Sequence, residues 1–96
     1  MKIALDAYLN AIFAITHILD NLNIPYTFGK LWDGYQLRFP WCAGDVVCHS
    51  GSYGHDLGYV ESYRFPWDDG DVTVAPPQDM VQSIVNYYDK IVKESK

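Results

Sequence analysis

The chain has 96 residues, 49% of them hydrophobic and 16% aromatic, with a net charge of −5 and two cysteines. That length suits one domain over 1–96, the apolar share excludes a disordered chain, and two cysteines do not make a disulfide framework. Residues 29–79 hold eight carboxylates (Asp33, Asp45, Asp56, Glu61, Asp68, Asp69, Asp71, Asp79) against Lys30, Arg38 and Arg64, so the middle of the chain carries the entire negative excess. Such a field repels nucleic acid and anionic membranes, and it steers toward a basic protein surface.

The first predicted element is a helix over 3–22. Leu5, Leu9 (or Tyr8), Ile12, Ile15 (or Thr16), Leu19 and Leu22 recur at helical spacing with no Gly or Pro between them. Ala4, Ala7, Ala11 and Ala14 form a second stripe beside them, and Phe13 falls on the narrow remaining face, so the helix needs cover from more than one side. The sheet and a second helix provide that cover, or a second copy of the chain does, as a homodimer through this helix. Asp6, Asn10, Thr16, His17 and Asp20 break the apolar run, which argues against a signal peptide or a membrane span. The expectation is a cytoplasmic protein with free thiols.

Asn21, Asn23 and Pro25 end the helix, and a hairpin sheet is predicted over 26–75. Strands are expected at 26–32 and 35–41 around an Asp33-Gly34 turn, the dipeptide that favours short hairpins. In the second strand Tyr35, Leu37, Phe39 and Trp41 alternate with Gln36 and Arg38. Further strands are expected at 46–50, at 58–65 with Tyr59, Tyr63 and Phe65 on one side, and at 72–75. Pro76 and Pro77 then open a helix over 77–94, striped by Met80, Ile84, Tyr87 and Ile91 beside Val81, Val85, Tyr88 and Val92, with Lys90, Lys93 and Lys96 toward its end. The fold class is α+β: an N-terminal helix, an antiparallel meander of four to five strands, and a C-terminal helix packed on the sheet.

The segment 38–47, RFPWCAGDVV, returns as RFPWDDGDVT at 64–73. Each copy reads as a strand end, a Pro without an N–H for the ladder, a Trp, a Gly-Asp turn and the next strand. Arg38 with Asp45 and Arg64 with Asp71 are candidates to pair across the turn bases. The copies are either a turn solution used twice, with two buried tryptophans, or two loops that present Trp41 and Trp67 with acidic tips to one partner.

Cys42, Cys48, His49 and His55 are the candidates for metal or thiol chemistry. Their C-x5-C-H-x5-H spacing matches no common zinc pattern, and Cys48 and His49, adjacent on a strand, point to opposite faces. Cys48 is expected in the core, and no metal or cofactor is expected. Residues 49–58, HSGSYGHDLG, lack the lysine and following helix of a phosphate loop and read as a contact loop with Tyr53 and His55 near its tip.

The stretch GYQLRFPWCAGDVVCHSGSYGHDLGYVESYRFPWDDGDVT (34–73) resembles small acidic proteins encoded by phages and mobile elements of Gram-positive bacteria, in which FPW, GDVVCHS and SYG elements recur. That neighbourhood includes anti-CRISPR and other anti-defence inhibitors. The resemblance implies a non-enzymatic protein that inhibits a basic, nucleic-acid-handling host protein such as a Cas nuclease by presenting an acidic, DNA-mimicking surface. The expected contact residues are Asp33, Asp45, Asp68, Asp69 and Asp71 around Trp41, Trp67 and Tyr53. The alternatives are a self-associating structural or regulatory module, and a metal or thiol site at Cys42, Cys48, His49 and His55.

Overall fold

The computed structural model describes residues 3–94, with side chains from Ala7 onward; Ala4, Leu5, Asp6, Lys2 and Lys96 lie outside the described side chains. The expected α+β arrangement is found. Helix α1 (Ile3–Asn21) leads into strands β1 (Thr27–Leu31), β2 (Gly34–Arg38), β3 (Asp45–Cys48), β4 (Val60–Tyr63) and β5 (Val72–Ala75), and helix α2 (Pro77–Glu94) closes the chain. The strands form one antiparallel sheet in the order β1-β2-β3-β4-β5.

Helix α1 is stopped by a left-handed residue. Asn23 has φ 57°, and this lets the Ile24 N–H reach back to the Leu19 carbonyl at 2.9 Å while the Ile24 side chain is buried beneath the last turn. Asn tolerates this conformation better than most side chains, and the returning bond satisfies a carbonyl that the helix end would otherwise leave open. At α2 the Pro76 carbonyl accepts the Met80 N–H at 3.0 Å, so the two prolines fix the entry without a missing donor.

Both helices pack against the same face of the sheet, and against each other. Because strand side chains alternate, Leu37, Val46, Cys48, Val60 and Ser62 point into this layer. They meet Ala11, Ile12, Ile15 and Leu19 of α1 and Met80, Val81 and Ile84 of α2. Each fully buried aliphatic side chain here contributes about 1.5–3 kcal/mol relative to exposure. The opposite face carries Gln36, Arg38, Asp45, Val47, Glu61, Tyr63, Val72 and Val74, and neither helix covers it.

Three local expectations are corrected. The first hairpin turns at Trp32-Asp33, with Leu31 paired to Gly34, rather than at Asp33-Gly34. Gly34 is required for another reason: a Cβ there would run into the Cys48 carbonyl and lie 2.6 Å from the Cβ of His49, so the glycine admits the end of β3. Strand β2 stops at Arg38, so Phe39 and Trp41 belong to a loop, although both still turn toward the core. Tyr63 and Phe65 do not share a side. Arg64 between them has φ 71°, which breaks the alternation, leaving Tyr63 on the open face and Phe65 buried.

Candidate functional site

A meander places alternate loops at opposite ends of the sheet. The β2–β3 and β4–β5 loops, which are the two copies of the repeat, share one end; the β1–β2 turn and the β3–β4 segment share the other.

At the first end the two copies fold alike. In each, the Phe carbonyl accepts the N–H three residues on, Phe39 from Cys42 at 3.4 Å and Phe65 from Asp68 at 3.0 Å. Phe39 and Phe65 are buried and meet edge to face at 5.7 Å. Trp67 stacks flat on Phe65 at 4.4 Å, Trp41 leans on Phe39 at 5.3 Å, and both rings contact Tyr87 of α2. The indole N–H groups are satisfied inside the fold, Trp41 donating to the Pro25 carbonyl at 2.9 Å and Trp67 to Ser62 Oγ at 3.1 Å. Gly44 lets the copies interlock, since a Cβ there would lie 2.6 Å from the Phe65 ring. The repeat is a clasp that fastens the sheet to the C-terminal helix, and Trp41 and Trp67 are partly buried parts of it.

The acidic residues assigned to these loops separate. Asp68 is only 4% exposed; it accepts the Ser62 hydroxyl at 2.8 Å and the Phe65 N–H at 3.0 Å, so it holds the turn from within and presents no charge to a partner. Asp69 and Asp71 are exposed, and Asp71 Oδ1 accepts the Val72 N–H at 2.8 Å. Asp45 is half-buried on the open face and takes the Gln36 amide at 2.8 Å. Among the described residues neither the Arg38–Asp45 pair nor the Arg64–Asp71 pair closes to ion-pair distance; the Arg64 guanidinium lies over the Tyr63 ring at 5.2 Å.

The opposite end carries the exposed aromatic surface. Trp32 is 77% exposed, yet it occupies a turn position with φ 55°, where a bulky side chain is strained. Its ring stands edge-on against His49 at 4.8 Å and 79°. His49 is 5% exposed and rigidly held: Nδ1 accepts the Gly51 N–H at 2.9 Å, the His49 N–H donates to Ser52 Oγ, and that hydroxyl donates back to the His49 carbonyl at 2.9 Å. With Nδ1 accepting, the neutral ring carries its proton on Nε2. Burial, with a smaller contribution from His55, pushes the His49 pKa below its ordinary value against the opposing pull of Asp33.

Asp33 ties the two segments together. Its Oδ1 accepts the Ser50 N–H at 3.1 Å, and bonds from the Ser50 side chain and backbone hold its carboxyl below the usual range. Beyond Ser52 the segment exposes Tyr53 (69%) and, in a short 3-10 turn at His55–Leu57, Asp56 and Leu57 (67%). The Tyr8 hydroxyl of α1 lies 3.3 Å from His55 Nδ1 and supports the turn from below. This end of the sheet therefore carries three exposed large side chains, Trp32, Tyr53 and Leu57, and two exposed carboxylates, Asp33 and Asp56. Of these, Tyr53 and Asp33 were expected at the site. Trp32 and Leu57 were not, because the Asp-Gly dipeptide shifts the predicted turn one residue late and absorbs Trp32 into the strand.

The thiols are turned inward. Cys48 is fully buried and its Sγ–H points to the Tyr59 carbonyl at 3.5 Å; burial pushes its pKa up to about 11. Burial also raises the Cys42 thiol. A thiolate is the reactive species, and both environments disfavour it. Among the described residues no group of three or more His, Cys, Asp and Glu side chains is placed to hold a metal ion, and no helix is long and apolar enough to cross a membrane. No family model matches the sequence, and no curated protein or solved structure matches it either.

Proposed function

We propose that this chain is a non-catalytic protein-binding domain that docks on a basic surface of a nucleic-acid-handling protein, the role implied by its resemblance to small acidic proteins of phages and mobile elements. The observation that carries the reading is Trp32. A tryptophan that shows most of its surface to solvent from a strained turn contributes little to its own fold, and strain of this kind is retained where it is used. Trp is also the residue most enriched at the energetic centres of protein interfaces. Tyr53 and Leu57 expose further apolar surface at the same end of the sheet, and Asp33 and Asp56 add negative charge there, which suits Lys and Arg around a partner's pocket. The contact set is thus Trp32, Tyr53, Leu57, Asp33 and Asp56, with Trp41, Trp67 and Asp68 supporting the fold and Asp45, Asp69 and Asp71 adding long-range charge.

The test is capture on the immobilised chain from a lysate of a Gram-positive bacterium supplemented with a purified Cas nuclease, at low and at high salt. A basic nucleic-acid-binding protein retained in stoichiometric amount at low salt and released at high salt supports the proposal. Retention of the chain's own copies alone overturns it and favours self-association through α1, whose Ala7, Ala14 and Ile18 are exposed.

A further inference from the structure

The two arginines of the repeat remain outside this account, and they are the only arginines in the chain. Arg38 ends β2 and Arg64 follows β4, so in sequence they are the same position of the two RFPW copies. Both line one cleft of about 300 Å³ on the uncovered face, together with Gln36, Ala43, Asp45 and Tyr63.

The two side chains arrive there by different backbone routes. Arg38 points to the open face by ordinary strand alternation, one residue after the buried Leu37. Arg64 follows Tyr63, itself on the open face, so alternation would send it to the helix-covered side. Its φ of 71° prevents that, and its guanidinium lies over the Tyr63 ring instead. In the second copy this left-handed residue lets Phe65 turn into the core after Tyr63, which faces the open side, whereas the first copy reaches the same burial of Phe39 by ordinary alternation. The left-handed Arg64 also brings a second guanidinium to the cleft that Arg38 lines. The one carboxylate in the lining, Asp45, accepts the Gln36 amide at 2.8 Å, and neither arginine is ion-paired among the described residues.

We infer that this cleft is a binding site for a carboxylate, namely an acidic side chain of a peptide or protein. Two planar guanidinium forks match the two oxygens of a carboxylate, each giving charge-assisted bonds. Tyr63 and Ala43 supply an apolar wall for the methylene stem of a Glu or Asp. Asp45 in the same lining sets the charge that fits: a single negative charge is balanced by the arginines, whereas a phosphate dianion brings a second one against the Asp45 carboxylate. The site lies on the opposite half of the molecule from Trp32 and does not depend on the docking proposed there.

With only two arginines, the Nε–H region of a nitrogen–proton correlation spectrum of the full chain holds two side-chain signals, which makes the test direct. N-acetyl-glutamate-α-amide, which carries one carboxylate, is titrated in at constant ionic strength, with inorganic phosphate as the second probe. The expected result is that both signals move together with one Kd, and that the carboxylate binds more tightly than phosphate. Arg38→Lys and Arg64→Lys are each expected to weaken binding about tenfold, and Asp45→Asn to reduce the preference for carboxylate over phosphate. The arginines are exposed, so these variants retain the fold. Signals that stay still or move with two different Kd values, or tighter binding of phosphate, would overturn the assignment.

Discussion

The division of labour among the three tryptophans makes a sharp stability experiment. Less than a quarter of the Trp32 surface is covered, and a Trp side chain has about 150–250 Å² to bury. The covered part, on the order of 50 Å², is worth about 1.2 kcal/mol at ~25 cal/mol per Å². The edge-on contact with His49 adds about 0.5–1.5 kcal/mol. Against this, the left-handed backbone at Trp32 costs about 1–2 kcal/mol for an L side chain, and Asn tolerates that conformation. Trp32→Asn should therefore change the free energy of unfolding by less than about 2 kcal/mol. Trp67→Ala removes a ring stacked on Phe65 and a bond to Ser62, and Trp41→Ala removes the ring between Phe39 and α2; each should cost about 3 kcal/mol or more. In a domain of this size that is a large share of the total stability. Urea unfolding followed by far-ultraviolet circular dichroism, which does not depend on the substituted fluorophores, measures all three. A Trp32→Asn cost equal to that of Trp67→Ala would mean that Trp32 holds the fold as the clasp tryptophans do.

Further outcomes follow from the same contacts. Asp68→Ala leaves the Phe65 N–H and the Ser62 hydroxyl without their buried acceptor and should cost about 2–4 kcal/mol, whereas Asp69→Ala at the exposed tip should stay within about 0.5 kcal/mol; urea midpoints separate the two. Gly34→Ala forces a methyl group into the Cys48 carbonyl and should lower the melting temperature by several degrees, while Gly29→Ala on the edge strand, with open space around it, should leave it nearly unchanged. The depressed pKa of His49 means that its contribution is fully present above the unfolded value near 6.5 and is lost as pH falls through that value toward the folded one. His49→Gln should flatten the fall in stability measured as the pH drops below about 6.5. Glu61 has the opposite sign: burial, reinforced by Asp45 and Asp71, raises its pKa although the Tyr53 N–H opposes the shift, so ionisation weakens the fold as pH rises. Glu61→Gln should raise the urea midpoint at neutral pH, and the gain should vanish below about pH 4.

Much of the architecture was legible because several signals agreed. The apolar spacing of α1 and α2, the absence of helix breakers inside them and the prolines at residue 76 and residue 77 all point the same way, and the helices appear within a residue of the expected limits. The sheet was legible in its number of strands and less so in its details. Alternation reads as a strand only while the backbone stays extended, and Arg64 at φ 71° reverses the facing of Phe65 without any mark in the sequence. The repeat was visible as a pattern, but whether Trp41 and Trp67 face in or out depends on Tyr87 and Tyr88, more than 40 residues from Trp41, and on the glycine at 44. Asp68 was misplaced for a related reason. A carboxylate in an acidic run reads as solvated, and only the three-dimensional turn shows that it points back at Ser62 and at the N–H of Phe65. Trp32 escaped notice because glycine is the usual signal for a left-handed turn position, and here the strained residue is a tryptophan.

The reading of the Trp32 corner as the docking surface stands or falls on one affinity comparison. With the protein retained in the capture experiment as the ligand, the Kd of the wild-type chain is measured by calorimetry beside those of Trp32→Asn and Trp41→Phe. Trp32→Asn is expected to bind at least about 30-fold more weakly, the loss for an interface centre of 2 kcal/mol or more, and Trp41→Phe to stay within about threefold of wild type. Equal Kd values for wild type and Trp32→Asn would contradict the assignment of the docking surface to Trp32.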